Sequence, residues 1–210
     1  MATTDQALMQ QLQYSLLEPP NGGQTWPSGV WTRDEVLNIA NQRQNTLLHD
    51  TMLLVGAANV AVLASASRID LPTDCIRLVT VVWRGSVVRE LLRSDSFEAD
   101  HMISTWEDTD TVAPLVYMEE EAPLGQVQIG PAPIGAGTLD LLYVPLGTVL
   151  NGNGEILVVP DELMPVVKYG ALVDLLQKDG RGQDLGRAQY CEHRFNMGVE
   201  IAKLILEGWA

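Results

Sequence analysis

The strongest constraint on the fold of this chain is an apolar stripe near its end. From Ala188 to Trp209, apolar residues recur at steps of three and four positions, which is the repeat of one helix face. The sequence therefore predicts a long helix from about Asp184 to Trp209. This stripe has to be covered by a core within the chain or by another subunit, and its last residues are Phe195, Val199, Ala202, Leu206 and Trp209.

Other helices are predicted on both sides of the centre of the chain. One covers Thr4–Glu18, and another begins after Thr32, where the sequence "TRDE" matches a capping box. We expect this second helical pattern to continue to about Arg68, in two pieces. The uncharged segment Thr51–Ser67 is short for a membrane span and polar residues interrupt it, so a buried helix is predicted there. Acidic residues after Pro160 favour the start of a further helix.

The centre of the chain has a different pattern. The run "IRLVTVVWRGSVVREL" favours two strands around a turn, and candidate strands bounded by Pro or Gly follow in "APLVYMEEE", "GQVQIGP" and "TLDLLYVPL". A short helix is predicted within "SDSFEADHMISTW". The predicted fold class is α+β: a helical bundle from residues 1–70 and 155–210, with an inserted antiparallel β-rich subdomain, residues 71–154, that carries the short helix.

One loop has the outline of a phosphate-binding turn. In "GPAPIGAGT", Gly130 and Gly135 have the spacing of G-x-x-x-x-G-K-[ST], but Ala136 stands at the Lys position. Pro131 and Pro133 also lack the backbone N–H groups that cradle a phosphate. The pattern predicts instead a turn rich in Pro and Gly that joins the strands before and after it into a hairpin.

No motif predicts a catalytic, cofactor or metal site. The three histidines stand alone in predicted helices, and the two cysteines, Cys75 and Cys191, have no ligand pair at metal-binding spacing. The run "EEE" at 119–121 predicts solvated charge, because successive strand side chains point to opposite faces. With 27 acidic and 13 basic side chains, the formal net charge is −14, which argues against tight binding to nucleic-acid phosphates. We therefore expect no catalytic residue, no cofactor and no metal.

Four segments, in this order, resemble the head-to-tail adaptor (head completion) proteins of tailed phages. "DLPTDCIRLVTVVW" is similar to the family's passage from a helix to its first strand. "RSDSFEADHMISTWEDTDTVAPLVYMEEE" is similar to its short helix, acidic linker and P-x-x-Y sequence. "GQVQIGPAPIGAGTLDLLYVPL" resembles its central hairpin, and "VPDELMPVVKYGALVDLLQKDGRGQDLGRAQYCEHRF" its paired C-terminal helices. The sequence departs from the family at Ile129–Gly130, where a larger apolar or aromatic residue is more usual before the proline.

The resemblance implies a structural virion protein and not an enzyme. Such an adaptor would form a homo-oligomeric ring, of about 12 copies by the same resemblance. The ring would bind the portal protein on one side and tail or nozzle proteins on the other, and would extend the DNA channel toward the tail. Genomic DNA would pass through its lumen without sequence-specific binding, and the acidic charge would repel the DNA phosphates.

The resemblance also implies a location in the neck of the virion, between capsid and tail, with assembly in the host cytoplasm and no membrane contact. Two alternatives stay open at this point. One is another neck or tail-tube protein of the virion. The other is a small enzyme or regulator whose site is built from residues distant in sequence, without a recognisable motif.

Overall fold

A computed structural model describes residues 3–19, 21, 23–102, 106, 110–120 and 122–207 of the chain. The chain separates into two compact units. The helical unit combines both ends of the chain, Met1–Leu54 and Leu146–Ala210, whereas the β unit, Val55–Pro145, holds the strands. The predicted α+β class, a helical bundle with an inserted antiparallel β-rich part, is confirmed.

The described residues contain five α-helices, and all but the third belong to the helical unit. They are α1 (Asp5–Ser15), α2 (Arg33–Thr51), α3 (Ser96–Met102), α4 (Met164–Gln177) and α5 (Leu185–Glu207). The capping box predicted at the start of α2 is present. The Glu35 backbone N–H donates to Thr32 Oγ1 at 3.2 Å, and the Thr32 N–H donates to Glu35 Oε2 at 3.3 Å. Helix α4 is the central helix, because it contacts α1, α2 and α5 and most of its residues are buried.

Helices α4 and α5 approach closely because each presents a glycine to a large side chain of the other. A Cβ on Gly170 would stand 2.9 Å from Cδ2 of Phe195, and a Cβ on Gly198 would stand 2.5 Å from Cγ2 of Val166. The guanidinium carbon of Arg43, on α2, lies 5.4 Å from the centre of the Phe195 ring. Glycine lowers helix stability by about 1 kcal/mol relative to alanine, so these two positions are explained by packing and not by helix propensity.

Polar side chains hold the segment that follows the last strand onto the helical unit. Asn41 of α2 donates its side-chain N–H to the Leu150 carbonyl at 3.0 Å and accepts the Leu150 N–H at 2.8 Å. The carboxylate of Asp5, in the first turn of α1, is fully buried. It accepts hydrogen bonds, at 2.6 to 3.2 Å, from the backbone N–H groups of Asn151, Gly152 and Gly154. These bonds satisfy backbone groups that burial removes from water.

Eight strands form two sheets in the β unit. They are β1 (Gly56–Val62), β2 (Arg68–Asp70), β3 (Cys75–Arg84), β4 (Val88–Glu90), β5 (Leu92–Arg93), β6 (Val116–Met118), β7 (Gln126–Gly130) and β8 (Gly137–Pro145). One sheet has the order β1-β8-β3-β4 and is antiparallel, and the other has the order β2-β7-β6-β5, in which only β5 and β6 are parallel. Trp83 and Leu139 of the first sheet share one core with Val127 and Ile129 of the second.

The helix predicted over Thr51–Ser67 is wrong. Helix α2 ends at Thr51, where Met52 adopts the left-handed conformation with φ 53°, and Gly56–Val62 forms strand β1. The β1 side chains alternate between exposed and at least partly buried positions, which is a period of two. The small apolar residues of this segment fit a strand as well as a buried helix, and no apolar period distinguishes the two. The two compact units divide after Leu54 and Pro145, whereas the sequence predicted the inserted part over residues 71–154.

The hairpin predicted around Gly130 is also wrong. Strand β7 pairs with β2 and β6, whereas β8 pairs with β1 and β3, so the loop between them crosses from one sheet to the other. Pro131 and Pro133 have no N–H to continue a ladder, and this loop instead exchanges backbone hydrogen bonds with Thr111. A Cβ on Gly130, the residue before the first proline of this loop, would stand 2.6 Å from Cε3 of Trp106, whose ring occupies that space.

Candidate assembly surfaces

The stripe predicted on the last helix is covered mainly within the helical unit. Phe195, Val199 and Ala202, all on α5, are buried. Leu206 is half-buried, and Trp209 lies outside the described residues. The packing of α5 on α4 explains this burial, because the Phe195 ring fills the space that a glycine leaves on α4. As far as Ala202, these side chains contribute to the core of the unit.

A second apolar row lies on the other side of α5, and the sequence analysis missed it. Its residues are Met197, Ile201, Leu204 and Ile205, which are 43, 50, 66 and 47 % exposed. They stand at positions i, i+4, i+7 and i+8, which is the spacing of one helix face, so the same helical pattern could have revealed them. We call these four residues the outer row. A helix with one apolar face in a core and another in water has surface available for a further partner.

Three cations and three tyrosines lie together on the surface formed by α1, α4 and α5. Arg194 donates from Nε to Tyr190 Oη at 2.9 Å, and its guanidinium carbon lies 5.4 Å from the centre of that ring. Lys168 Nζ lies 5.0 Å from the centre of the Tyr169 ring, and the Tyr169 and Tyr190 rings meet edge to face with centroids 6.3 Å apart. Arg187 donates to the Ser15 carbonyl at 2.6 Å. We call this surface the cation–tyrosine patch, which comprises Tyr14, Lys168, Tyr169, Arg187, Tyr190 and Arg194.

A groove of about 490 Å³ lies beside this patch, between α1 and α4. It is lined by Ala7, Gln10, Gln11, Tyr14, Ser15 and Lys168. Among the carboxylates that the structure describes, none forms an ion pair with Lys168, Arg187 or Arg194. In a chain with a net charge of −14, this is a local concentration of cations that lack acidic partners.

Helix α3, in the acidic part of the β unit, presents carboxylates and apolar side chains together. Asp95 caps the helix by accepting the backbone N–H of Glu98 at 2.7 Å. Phe97 is 70 % exposed and contacts the His101 ring, with centroids 4.3 Å apart, and Met102 is also exposed. We call Asp95, Phe97, Glu98 and Met102 the α3 surface. Phe97 and Met102 place two apolar side chains in water beside these carboxylates, which makes this surface a candidate for a contact with another protein.

No three His, Cys, Asp or Glu side chains of the described residues are arranged to hold a metal ion, and all three histidines are exposed. Burial raises the pKa of Cys75 to about 11, with further contributions from Glu119 and Asp74. Burial also raises the pKa of Cys191, against the opposing charges of Arg187 and Lys168. Both thiols are therefore protonated at neutral pH and react slowly as nucleophiles.

Comparison with known proteins identifies the family. The model of the SU10 adaptor protein family matches residues 4–204, which include the patch, the α3 surface and most of the outer row. The chain belongs to the SU10 adaptor protein family. This is a family of phage head-to-tail adaptors, and the resemblance drawn from the sequence is confirmed. A comparison with curated proteins found none that matches this adaptor.

The adaptor is therefore a structural protein of a phage virion. Family membership implies a role other than catalysis, contacts with portal and tail proteins, and oligomerisation. It also implies a location at the neck of the virion. None of the helices in the described residues is both long and apolar enough to cross a membrane. The outer row, the patch and the α3 surface are the candidate contact surfaces of the adaptor.

Proposed function

We propose that the adaptor forms a closed ring beneath the portal and extends the DNA channel toward the tail. The observation that carries this proposal is the outer row. Ile201 and Leu204 are 50 and 66 % exposed, although α5 already buries Phe195 and Ala202 in the core of its own unit. In a family whose members oligomerise, an apolar row without a partner in the described chain supports a contact with a neighbouring copy or with the portal.

The negative net charge of the chain supports a ring through which DNA passes. We propose that part of the acidic excess, a net charge of −14 on each copy, lines the lumen of the ring, where it would repel DNA phosphates and let the genome pass without sequence-specific binding. We propose a ring of about 12 copies, assembled in the host cytoplasm and retained in the neck of the virion. The outer row has only four residues, so we propose that a contact made through it is weak between free subunits.

Assembly on the portal would strengthen this weak contact. When two copies are already bound to the portal, the contact between them becomes intramolecular and its effective concentration is high. We therefore expect the isolated adaptor to be monomeric and the ring to form on the portal, which serves as a template. Light scattering of the purified adaptor, alone and with the portal protein of the same phage, measures both states.

The decisive experiment replaces one residue of the outer row and images the complex. Ile201→Asp places a charge in the apolar row and should prevent ring formation, whereas Asn196→Asp places the same charge at an exposed polar position of α5 and should not. Wild-type adaptor should form rings with the symmetry of the portal. A stable dimer that ignores the portal, or one bound copy per portal, would refute the proposal. Tubes formed by the adaptor alone, without the portal, would instead favour another neck protein or a tail-tube protein.

A further inference from the structure

We propose that the α3 surface of one adaptor docks on the cation–tyrosine patch of the next copy around the ring. This inference rests on the proposed ring and adds the direction of its subunit contact. A closed cyclic ring uses head-to-tail contacts, so each copy has to carry two different surfaces that complement one another. The patch lies in the helical unit and the α3 surface in the β unit, so one chain supplies both.

The two surfaces are complementary in charge. Residues 90–121 contain ten acidic residues and a single basic one, Arg93, which lies 3.3 Å from Glu119. Glu98 therefore has no cation among the ion pairs of the described residues. The patch has the opposite composition, since Lys168 and Arg194 contact tyrosines and no described carboxylate. Docking would give each group the counter-charge that its own chain does not supply, and would guide the approach of the two copies.

The two surfaces are also complementary in apolar character. Phe97 presents an exposed phenyl ring beside the carboxylate of Glu98. The patch adjoins a groove of about 490 Å³ that is lined by Tyr14 and Lys168 among others. A phenyl ring in this groove would be removed from water, and the carboxylate next to it would lie near cations at the rim. Aromatic residues and Arg are enriched in protein interfaces, and the two surfaces together supply Phe97, Tyr14, Tyr190 and Arg194.

A second copy of the chain fits the patch better than DNA does. Phosphates would match the cations, but a net charge of −14 on each subunit repels DNA from the ring as a whole. A DNA duplex also has no exposed phenyl ring that could fill the groove. The α3 surface of a neighbour carries both features and is present at the high effective concentration of the assembled ring.

A charge swap within one chain tests the contact. In a head-to-tail ring, every contact pairs the patch of one copy with the α3 surface of the next, so Arg194→Glu and Glu98→Arg in the same chain reverse both sides of each contact. Each single variant should raise the adaptor concentration that half-fills portal rings about tenfold or more, and the double variant should recover most of this loss. Arg181→Glu makes the same charge change at an exposed position outside the patch and should behave as wild type.

Phe97→Ala tests the apolar part of the contact in the same assay. It should also require more adaptor to fill the rings, whereas Leu124→Ala, at another exposed apolar residue of the β unit, should not. Circular dichroism of each variant establishes that it is folded. Phe97 and Glu98 are exposed side chains of α3, and Arg194 is an exposed side chain of α5. If a substitution on one of these helices prevents folding, the substitution on the other helix still tests the contact.

Several outcomes would overturn the inference. If Arg194→Glu and wild-type adaptor filled portal rings at the same concentration, the patch would not be part of the contact. If both single variants filled rings poorly and the double variant did not recover, Arg194 and Glu98 would not face each other. If Arg194→Glu prevented even a single copy from binding the portal, the patch would contact the portal and not a neighbouring copy. If wild-type adaptor bound a labelled DNA duplex and Arg194→Glu did not, the patch would contact DNA. If wild-type adaptor formed no ring on the portal, the proposed ring itself would be refuted.

Discussion

Replacing Phe195 with alanine should destabilise the helical unit by about 4 kcal/mol, within the range for a buried Phe→Ala change. The ring is 5 % exposed and lies against Gly170, which has no side chain that could move into the vacated space. Arg43 cannot fill it either, because its guanidinium is held by Asp174 through two hydrogen bonds, one of them at 2.7 Å from Nε. The contact of Arg43 with the ring is lost as well, which contributes about 0.5–1 kcal/mol.

The chain contains its own control for this experiment. It has two phenylalanines, and the other one, Phe97, is 70 % exposed on α3. Phe97→Ala should change the free energy of unfolding by less than about 0.5 kcal/mol, as most surface substitutions do. Urea unfolding, followed by circular dichroism of the helices, gives both values. With an m-value of about 2 kcal/mol per molar urea, Phe195→Ala should lower the midpoint by about 2 M. Equal midpoints for the two variants would refute the assignment of Phe195 to the core.

Three further predictions concern the core and the loops. Asp5→Ala removes the acceptor of three backbone N–H groups and should lower the free energy of unfolding by about 3 kcal/mol, measured by urea unfolding. Gly198→Ala forces a methyl group against Val166 and should be destabilising; Val166→Ala should relieve it, with a coupling energy of about 1 kcal/mol or more in a double-mutant cycle. Cys75, with its raised pKa of about 11, should react with iodoacetamide at pH 8 about tenfold or more slowly than in urea, measured by mass spectrometry.

Each of these predictions has a comparison that can contradict it. Asp34→Ala removes an exposed carboxylate from the first turn of α2 and should cost less than about 1 kcal/mol, so an equal effect would show that Asp5 does not anchor the loop. Additive effects of the Gly198 and Val166 substitutions would show that the two residues do not touch. Labelling of Cys75 at the same rate in native and unfolded protein would contradict its burial.

Local features of the fold could be predicted from the sequence. Thr32 and Glu35 are three residues apart, and their capping box needs no contact from elsewhere in the chain. The strands β3, β7 and β8 were predicted from their β-branched residues and their Pro or Gly boundaries. The order of the segments was also sufficient to recognise the adaptor family, whose model matches residues 4–204.

Contacts between distant residues could not be predicted in the same way. Gly56–Val62 became a strand because β8, about eighty residues later, supplies its hydrogen-bond partners. Strands β7 and β8 are neighbours in sequence, yet each pairs with strands of a different sheet. In both cases the backbone partners are chosen by long-range pairing, which a local pattern of apolar residues does not encode.

The sequence by itself determined that α5 is a long helix with apolar residues at helical spacing, since that pattern depends only on positions along one segment. It contains two such rows, one through Phe195 and Ala202 and one through Ile201 and Leu204, with the same period. Only the tertiary structure decided which row is buried. Gly170 leaves a space on α4 that the Phe195 ring fills, and Val166 packs on Gly198, so α5 is held with the first row inward and the outer row in solvent.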